Sequence, residues 1–125
     1  MTGIVLVTHA GLGESMRHQA EVILGRMVQL TTVSISYGAD PDSALIELIG
    51  ALTISADSDG AVILTDLPGA TPHNLAVKAA ERHAMPVVSG LNLPMLLKVI
   101  THSDKPASEL AALAGMGGHQ GIVNS

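Results

Sequence analysis

Two polar residues stand where strongly apolar runs stop. Ile4-Val5-Leu6-Val7-Thr8 ends at His9, and Ala61-Val62-Ile63-Leu64-Thr65 ends at Asp66. A neutral imidazole attacks through one ring nitrogen only when the other holds the proton, and a carboxylate accepting that N–H fixes the tautomer. The same carboxylate stabilises the cation that forms as the ring is alkylated, acylated or phosphorylated. Glycines surround both residues: Gly11 and Gly13 follow His9, and Gly69 precedes Thr71. Helices opening at these places would aim backbone N–H groups at one pocket, which favours an anion. A phosphoryl group carried on His9 suits such a pocket. Thr71 would either donate its hydroxyl to a phosphate oxygen or cap its helix.

These residues meet only if the chain folds in a particular way. The β-rich run before His9 gives way at Leu12 to helical spacing, with Leu12, Met16, Ala20, Ile23, Leu24 and Met27 on one face. Leu30 to Ile35 reads as a second strand. Asp40-Pro41 opens a helix whose apolar stripe is Ala44, Leu45, Leu48, Ile49 and Leu52. Asp57-Ser58-Asp59-Gly60 is a turn, and Ala61 to Thr65 is a third strand without polar alternation, as a strand buried on both faces requires. Thr71-Pro72 repeats the cap-plus-proline signature and opens a helix to Ala84. Pro86 to Ser89 reads as a fourth strand, Leu93 to Thr101 and Pro106 to Met116 as helices, and Ile122-Val123, after Gly117-Gly118, as a short edge strand.

Such alternation predicts an α/β fold, a doubly wound and mainly parallel sheet with helices on both faces. Ligands of such sheets bind beyond the carboxyl ends of the strands, where the winding direction reverses. With strand order 2-1-3-4, the strands ending at His9 and Asp66 are neighbours, and Gly90-Leu91-Asn92 leaves the fourth strand beside them. A lone histidine or aspartate leaving a strand is more often a loop or capping residue. Their joint placement at a switch point shifts the weight toward chemistry.

The rest of the sequence excludes other classes. His18 falls opposite the apolar stripe and is expected in solvent, whereas His83 is expected to pack at a helix end. His102 and His119 have no partner at ligand spacing. His73, in the first turn of the helix after Asp66, is expected to be exposed at the pocket rim. No His-Glu-x-x-His occurs, so no metal is expected; no Gly-x-Ser-x-Gly occurs either, which argues against a serine hydrolase. Gly11-Leu12-Gly13 lacks the third glycine of a dinucleotide fingerprint and is not followed by the Gly-Lys-Ser/Thr of a P-loop. No cofactor is expected.

Six Lys/Arg against eleven Asp/Glu leave a net charge of -5, and the basic residues are scattered. With Tyr37 the only aromatic ring, the chain has neither a row of phosphate contacts nor a base-stacking platform, so nucleic acid is excluded as a partner. The 125 residues, 47% of them hydrophobic, suit one globular domain and are too apolar for a disordered chain. No run approaches the roughly 20 apolar residues of a membrane span. There is no cysteine and no basic flank of a secretory signal, so a cytoplasmic protein without membrane insertion is expected.

Three blocks, in the same order and spacing, resemble the IIA component of mannose-family phosphoenolpyruvate-dependent phosphotransferase systems (mannose, fructose, sorbose). Val7-Thr8-His9-Ala10-Gly11 resembles that family's phosphorylation segment. Leu64-Thr65-Asp66-Leu67-Pro68-Gly69-Ala70-Thr71-Pro72-His73-Asn74 resembles its Asp-x-x-Gly-Gly-Ser-Pro-x-Asn stretch, and Gly90-Leu91-Asn92-Leu93-Pro94-Met95-Leu96 its Gly-x-Asn-x-Pro-Met-Leu segment. The resemblance covers essentially all of residues 1–125 as a single domain. It implies that His9 takes a phosphoryl group on Nε2 from the phosphocarrier protein HPr, that Asp66 holds Nδ1–H, and that a IIB component receives the group for sugar uptake. It also implies that Gly11, Gly69, Thr71 and Asn92 surround the phosphate, and that the chain is a homodimer exchanging a C-terminal strand, for which Gly121-Ile122-Val123 is available. Ala70 replaces the family's second glycine, Thr71 its serine, and the tryptophan some members carry near the histidine is absent. Three other functions share parts of this reading: a regulatory phosphoprotein reporting the state of such a system, the IIA-like phosphoryl donor of a dihydroxyacetone kinase, and a flavodoxin-like binding module without covalent chemistry. Pro72-His73-Asn74 favours the mannose type over the kinase donor.

Overall fold

The computed structural model describes residues 1–56 and 59–125. Its elements run β1 (Gly3–His9), α1 (Leu12–Leu24), β2 (Thr31–Ile35), α2 (Pro41–Ser55), β3 (Ala61–Thr65), α3 (Thr71–Ala80), β4 (Val87–Val88), α4 (Leu93–Thr101) and α5 (Ala107–Gln120). The strands pair in parallel in the order β2-β1-β3-β4, as expected. The expected turn before β3 includes Asp57 and Ser58, which lie outside the described residues.

Alternation along β1 sorts its side chains onto two cores. Val5 and Val7 join Val33 and Ile35 of β2, Leu48 and Leu52 of α2, and Leu75 and Ala79 of α3 on one face. Ile4 and Leu6 join Ala20 of α1, Leu96 and Val99 of α4, and Leu110 of α5 on the other. All five residues of β3 are buried, which explains why that strand shows no polar alternation. Each large side chain removed from water here contributes about 1.5–3 kcal/mol, so the pairing of β1 with β3 is held from both sides. α2 starts as expected, with the Asp40 carboxylate accepting from the Ser43 N–H at 3.0 Å and proline in the first turn.

The C-terminal third departs from expectation. α5 does not stop at Met116 but runs through Gly117-Gly118 to Gln120, and 122–125 form no strand. The glycines serve packing rather than termination. A Cβ on Gly117 would lie 2.7 Å from the Cβ of Lys98, and one on Gly121 only 2.4 Å from Pro94 Cγ. α5 therefore presses its backbone against α4, and the helix continues because it gains that contact. Ile122 and Val123 are left exposed rather than added to a sheet edge.

Two smaller expectations also fail. α3 ends at Ala80, short of Ala84, so His83 lies in a turn in solvent rather than packing at a helix end. On α1, Ala20 is fully buried and Met16 and Leu24 are partly so, but Leu12, Ile23 and Met27 are exposed. Gly25 caps the helix in the left-handed region, which leaves Met27 beyond its end.

Close packing at Gly117 predicts a contrast between two alanine substitutions on α5. Gly117→Ala should lower the free energy of unfolding by about 1–3 kcal/mol through overpacking against α4. Gly115→Ala, with nothing within 4 Å of the new methyl, should raise it by about 0.5–1 kcal/mol through helix propensity. Urea denaturation of both variants reads the two signs.

Candidate functional site

β1 and β3 end side by side, with Val7 in register with Thr65. His9 extends two residues beyond that pair and stays in register with Ile35 of β2. Its backbone N–H has therefore run past the β3 ladder, and the Asp66 carboxylate takes it: Asp66 Oδ2 accepts from the His9 backbone N–H at 2.9 Å. The same oxygen lies 2.7 Å from His9 Nδ1, and Asp66 Oδ1 accepts from the Leu67 N–H at 3.0 Å. One carboxylate thus grips a single residue by both its main chain and its ring.

Burial is the strongest influence on the Asp66 carboxyl and acts to raise its pKa. The His9 backbone N–H, the His9 ring and the attraction between the two groups outweigh it, so the carboxyl is held below its ordinary value. An ionised carboxylate only accepts hydrogen bonds, so Nδ1 carries a proton, and in the neutral ring Nε2 is left with its lone pair. The His9 side chain is 27% exposed against 8% for Asp66. The imidazole is partly open to solvent while the carboxylate that holds it is largely buried.

The neighbouring glycines and hydroxyls divide unequally. Gly11 caps α1 with a left-handed backbone. Gly13 N–H donates to Thr8 Oγ1 at 2.9 Å, and a Cβ at Gly13 would lie 3.2 Å from that same oxygen. Gly11 N–H leans on Ser34 Oγ at 3.4 Å, and Ser34 donates to the Glu14 carboxylate at 2.8 Å. That hydroxyl is the main reason the Glu14 carboxyl also sits below its usual pKa. At the amino end of α1 the N–H groups of Gly11 and Gly13 are therefore engaged by the chain's own oxygens. At α3 the expected cap is displaced by one residue: Ala70 is the N-cap, and Thr71 is the first helical residue. Among the described residues, the N–H groups of Gly69, Thr71 and His73 and the Thr71 hydroxyl make no hydrogen bond. The start of α3 thus keeps three N–H groups and a hydroxyl unengaged.

Two sequence expectations change here. Both ends of the Asn92 amide are committed: Oδ1 accepts from the Met95 N–H at 2.9 Å and Nδ2 donates to Gly118 O at 3.2 Å. Asn92 caps α4 and ties it to α5. His73 is turned inward, half-buried, with Nδ1 2.8 Å from Thr65 Oγ1. Tyr37 carried no expectation of a site role, yet its ring stacks on His9 with centroids 5.5 Å apart and planes 29° from parallel. The signal was available, since Tyr37 follows the strand that the 2-1-3-4 order places beside β1. Among the described residues no group of three or more metal ligands is found, and no Lys or Arg forms an ion pair with Asp66. A cavity of about 660 Å³, lined by Thr2, Arg17, Val28 and Ser103 among others, opens at the amino ends of the strands, away from His9.

Comparison with known proteins gives a consistent family. The family model for "EIIA-man: PTS system fructose IIA component" matches residues 3–114. The sorbose-specific EIIA component of the phosphotransferase system from Lacticaseibacillus casei is 26% identical over 102 residues, 81% of this chain and 73% of that protein. The mannose/sorbose-specific IIA subunit from Enterococcus faecalis superimposes with a TM-score of 0.89 at 24% identity, over 99% of this chain and 94% of that one. A phosphotransferase system EIIA from Streptococcus agalactiae gives a TM-score of 0.87 at 24% identity, over 99% and 97% of the two chains. No helix among the described residues is long and apolar enough to cross a membrane.

Because its pKa is lowered in the folded state, ionised Asp66 adds stability above the unfolded carboxyl value, about 3.9, and that stability is lost as pH falls through the folded value. Asp66→Asn should be less stable than wild type by about 1.5 kcal/mol or more at neutral pH. The gap should close as the pH drops below the carboxylate range. Denaturation curves at stepped pH measure it.

Proposed function

The chain belongs to the mannose-type IIA family of the phosphotransferase system, a phosphotransferase family serving sugar uptake, and from that membership we propose that it is a phosphohistidine carrier working through His9. The observation that carries this reading is the double hold of Asp66 Oδ2 on His9, at 2.9 Å to the backbone N–H and 2.7 Å to Nδ1. With Nδ1 protonated, the Nε2 lone pair attacks the phosphorus carried on a histidine of a phosphocarrier protein of the HPr type. The new N–P bond forms as the donor's N–P bond breaks, and the electron pair returns to the donor ring. A IIB component then takes the group from His9 by the same exchange in reverse. Residues 1–125 act as one cytoplasmic IIA domain in this relay.

The site's chemistry fits a carrier. A carrier must release what it accepts, so the phosphate needs a cradle rather than a clamp. The unengaged N–H groups of Gly69, Thr71 and His73 and the Thr71 hydroxyl supply a neutral cradle at the start of α3. Gly11 starts α1 with a left-handed backbone, and Asn92 ties the loop after β4 to α5. Phosphorylation adds about -1.5 to -2 charge to a chain already at -5, which favours partners with basic docking faces. Homodimer formation belongs to the same proposal, with Ile122 and Val123 exposed and available to it.

Incubation with phosphoenolpyruvate and the upstream carriers should add the mass of one acid-labile phosphoryl group, and His9→Ala should abolish it. Asp66→Asn should stay folded but slow transfer about 100-fold or more, as loss of the orienting carboxylate does behind other catalytic imidazoles. Thr71→Ala should slow transfer about fivefold, the worth of one hydrogen bond, and leave stability unchanged because Thr71 caps nothing. Labelling that survives His9→Ala would overturn the assignment.

A further inference from the structure

Tyr37 sits in the loop between β2 and α2 and is 85% exposed. Its phenol makes no hydrogen bond among the described residues, and it belongs to neither core. Its ring stacks on His9, centroids 5.5 Å apart and planes 29° from parallel. An exposed tyrosine folded back onto an imidazole, rather than left in water, calls for a reason outside packing.

The chemistry of the histidine supplies one. When the His9 ring is neutral, an ionised Asp66 keeps its proton on Nδ1, which faces the carboxylate. When Nε2 uses its lone pair to bond phosphorus, the proton on Nδ1 stays and the ring becomes formally cationic. Protonation of Nε2 produces the same ring charge. A cation within about 6 Å of an aromatic centroid is stabilised by the ring's negative face, and Tyr37 is inside that range. The stack covers a face of the imidazole, whereas attack and in-line departure at Nε2 run in the ring plane. The tyrosine therefore does not obstruct transfer.

We propose that Tyr37 is a positioning residue that stabilises the cationic form of the His9 ring, and thereby the phosphorylated carrier, from the side that Asp66 does not reach. This rests on the phosphohistidine reading above for its consequence, but its physical core concerns the charged ring alone. Asp66 neutralises the cation through its edge at Nδ1, while Tyr37 acts through the face. The aromatic ring, not the phenol hydroxyl, is the working part.

The test uses the full chain as wild type, Tyr37→Phe and Tyr37→Leu. At a fixed pH within the imidazole titration range, the ratio of cationic to neutral His9, read from its ring ¹⁵N shifts, should fall about two- to fivefold in Tyr37→Leu. It should stay at the wild-type value in Tyr37→Phe. With a phosphorylated histidine carrier as donor, the equilibrium ratio of phosphorylated to free His9 should fall by the same factor in Tyr37→Leu alone. Thermal unfolding should be the same in all three, since the ring lies outside both cores. An unchanged cation ratio in Tyr37→Leu would overturn the proposal, as would a loss in Tyr37→Phe equal to that in Tyr37→Leu. If wild type accepts no phosphoryl group, the carrier reading fails while the cation ratio still decides the role of Tyr37.

Discussion

The site depends on one oxygen. Asp66 Oδ2 accepts from both the backbone and the ring of His9, and each bond constrains the other. The main-chain bond places the carboxylate at the end of β1, where the sheet ladder with β3 has stopped. The ring bond then sets the imidazole's plane and tautomer. Neither would be available if β1 and β3 were not neighbours, and they are neighbours because apolar side chains on both faces of β1 and β3 require helices on both sides.

From this follows a division of labour around the switch point. The Asp66 carboxylate is largely buried, while the His9 side chain is partly open to solvent. At the amino end of α1 the Gly13 N–H is taken by Thr8 and the Gly11 N–H by Ser34, whereas at the start of α3 the N–H groups of Gly69, Thr71 and His73 make no hydrogen bond among the described residues.

Much of this was legible before any coordinates. β3, α4 and the Asp40 cap fell where residue types and spacing put them, because each was dictated by local chemistry: a run buried on both faces, an apolar stripe, a capping carboxylate. His9 and Asp66 were legible because both terminate such runs. What was illegible depended on distant packing. Gly117-Gly118 reads as a helix stop, but the pressure of α5 on α4 turns those glycines into a contact surface. Asn92 reads as a loop residue facing the site, yet the nearness of Gly118 draws its amide away. Tyr37 went unmarked although the 2-1-3-4 order places the end of its strand beside β1, because its ring contact with His9 spans 28 residues and leaves no local pattern.

The central claim is a statement about one proton. A long-range ¹H–¹⁵N correlation spectrum of the unphosphorylated protein, taken above the imidazole titration range, reports which nitrogen of His9 holds it. The structure requires a protonated Nδ1 and a bare Nε2, with Asp66→Asn shifting the balance between them. A wild-type spectrum with the proton on Nε2 would mean that the carboxylate does not orient the ring, and His9 would lose its claim to be the nucleophile.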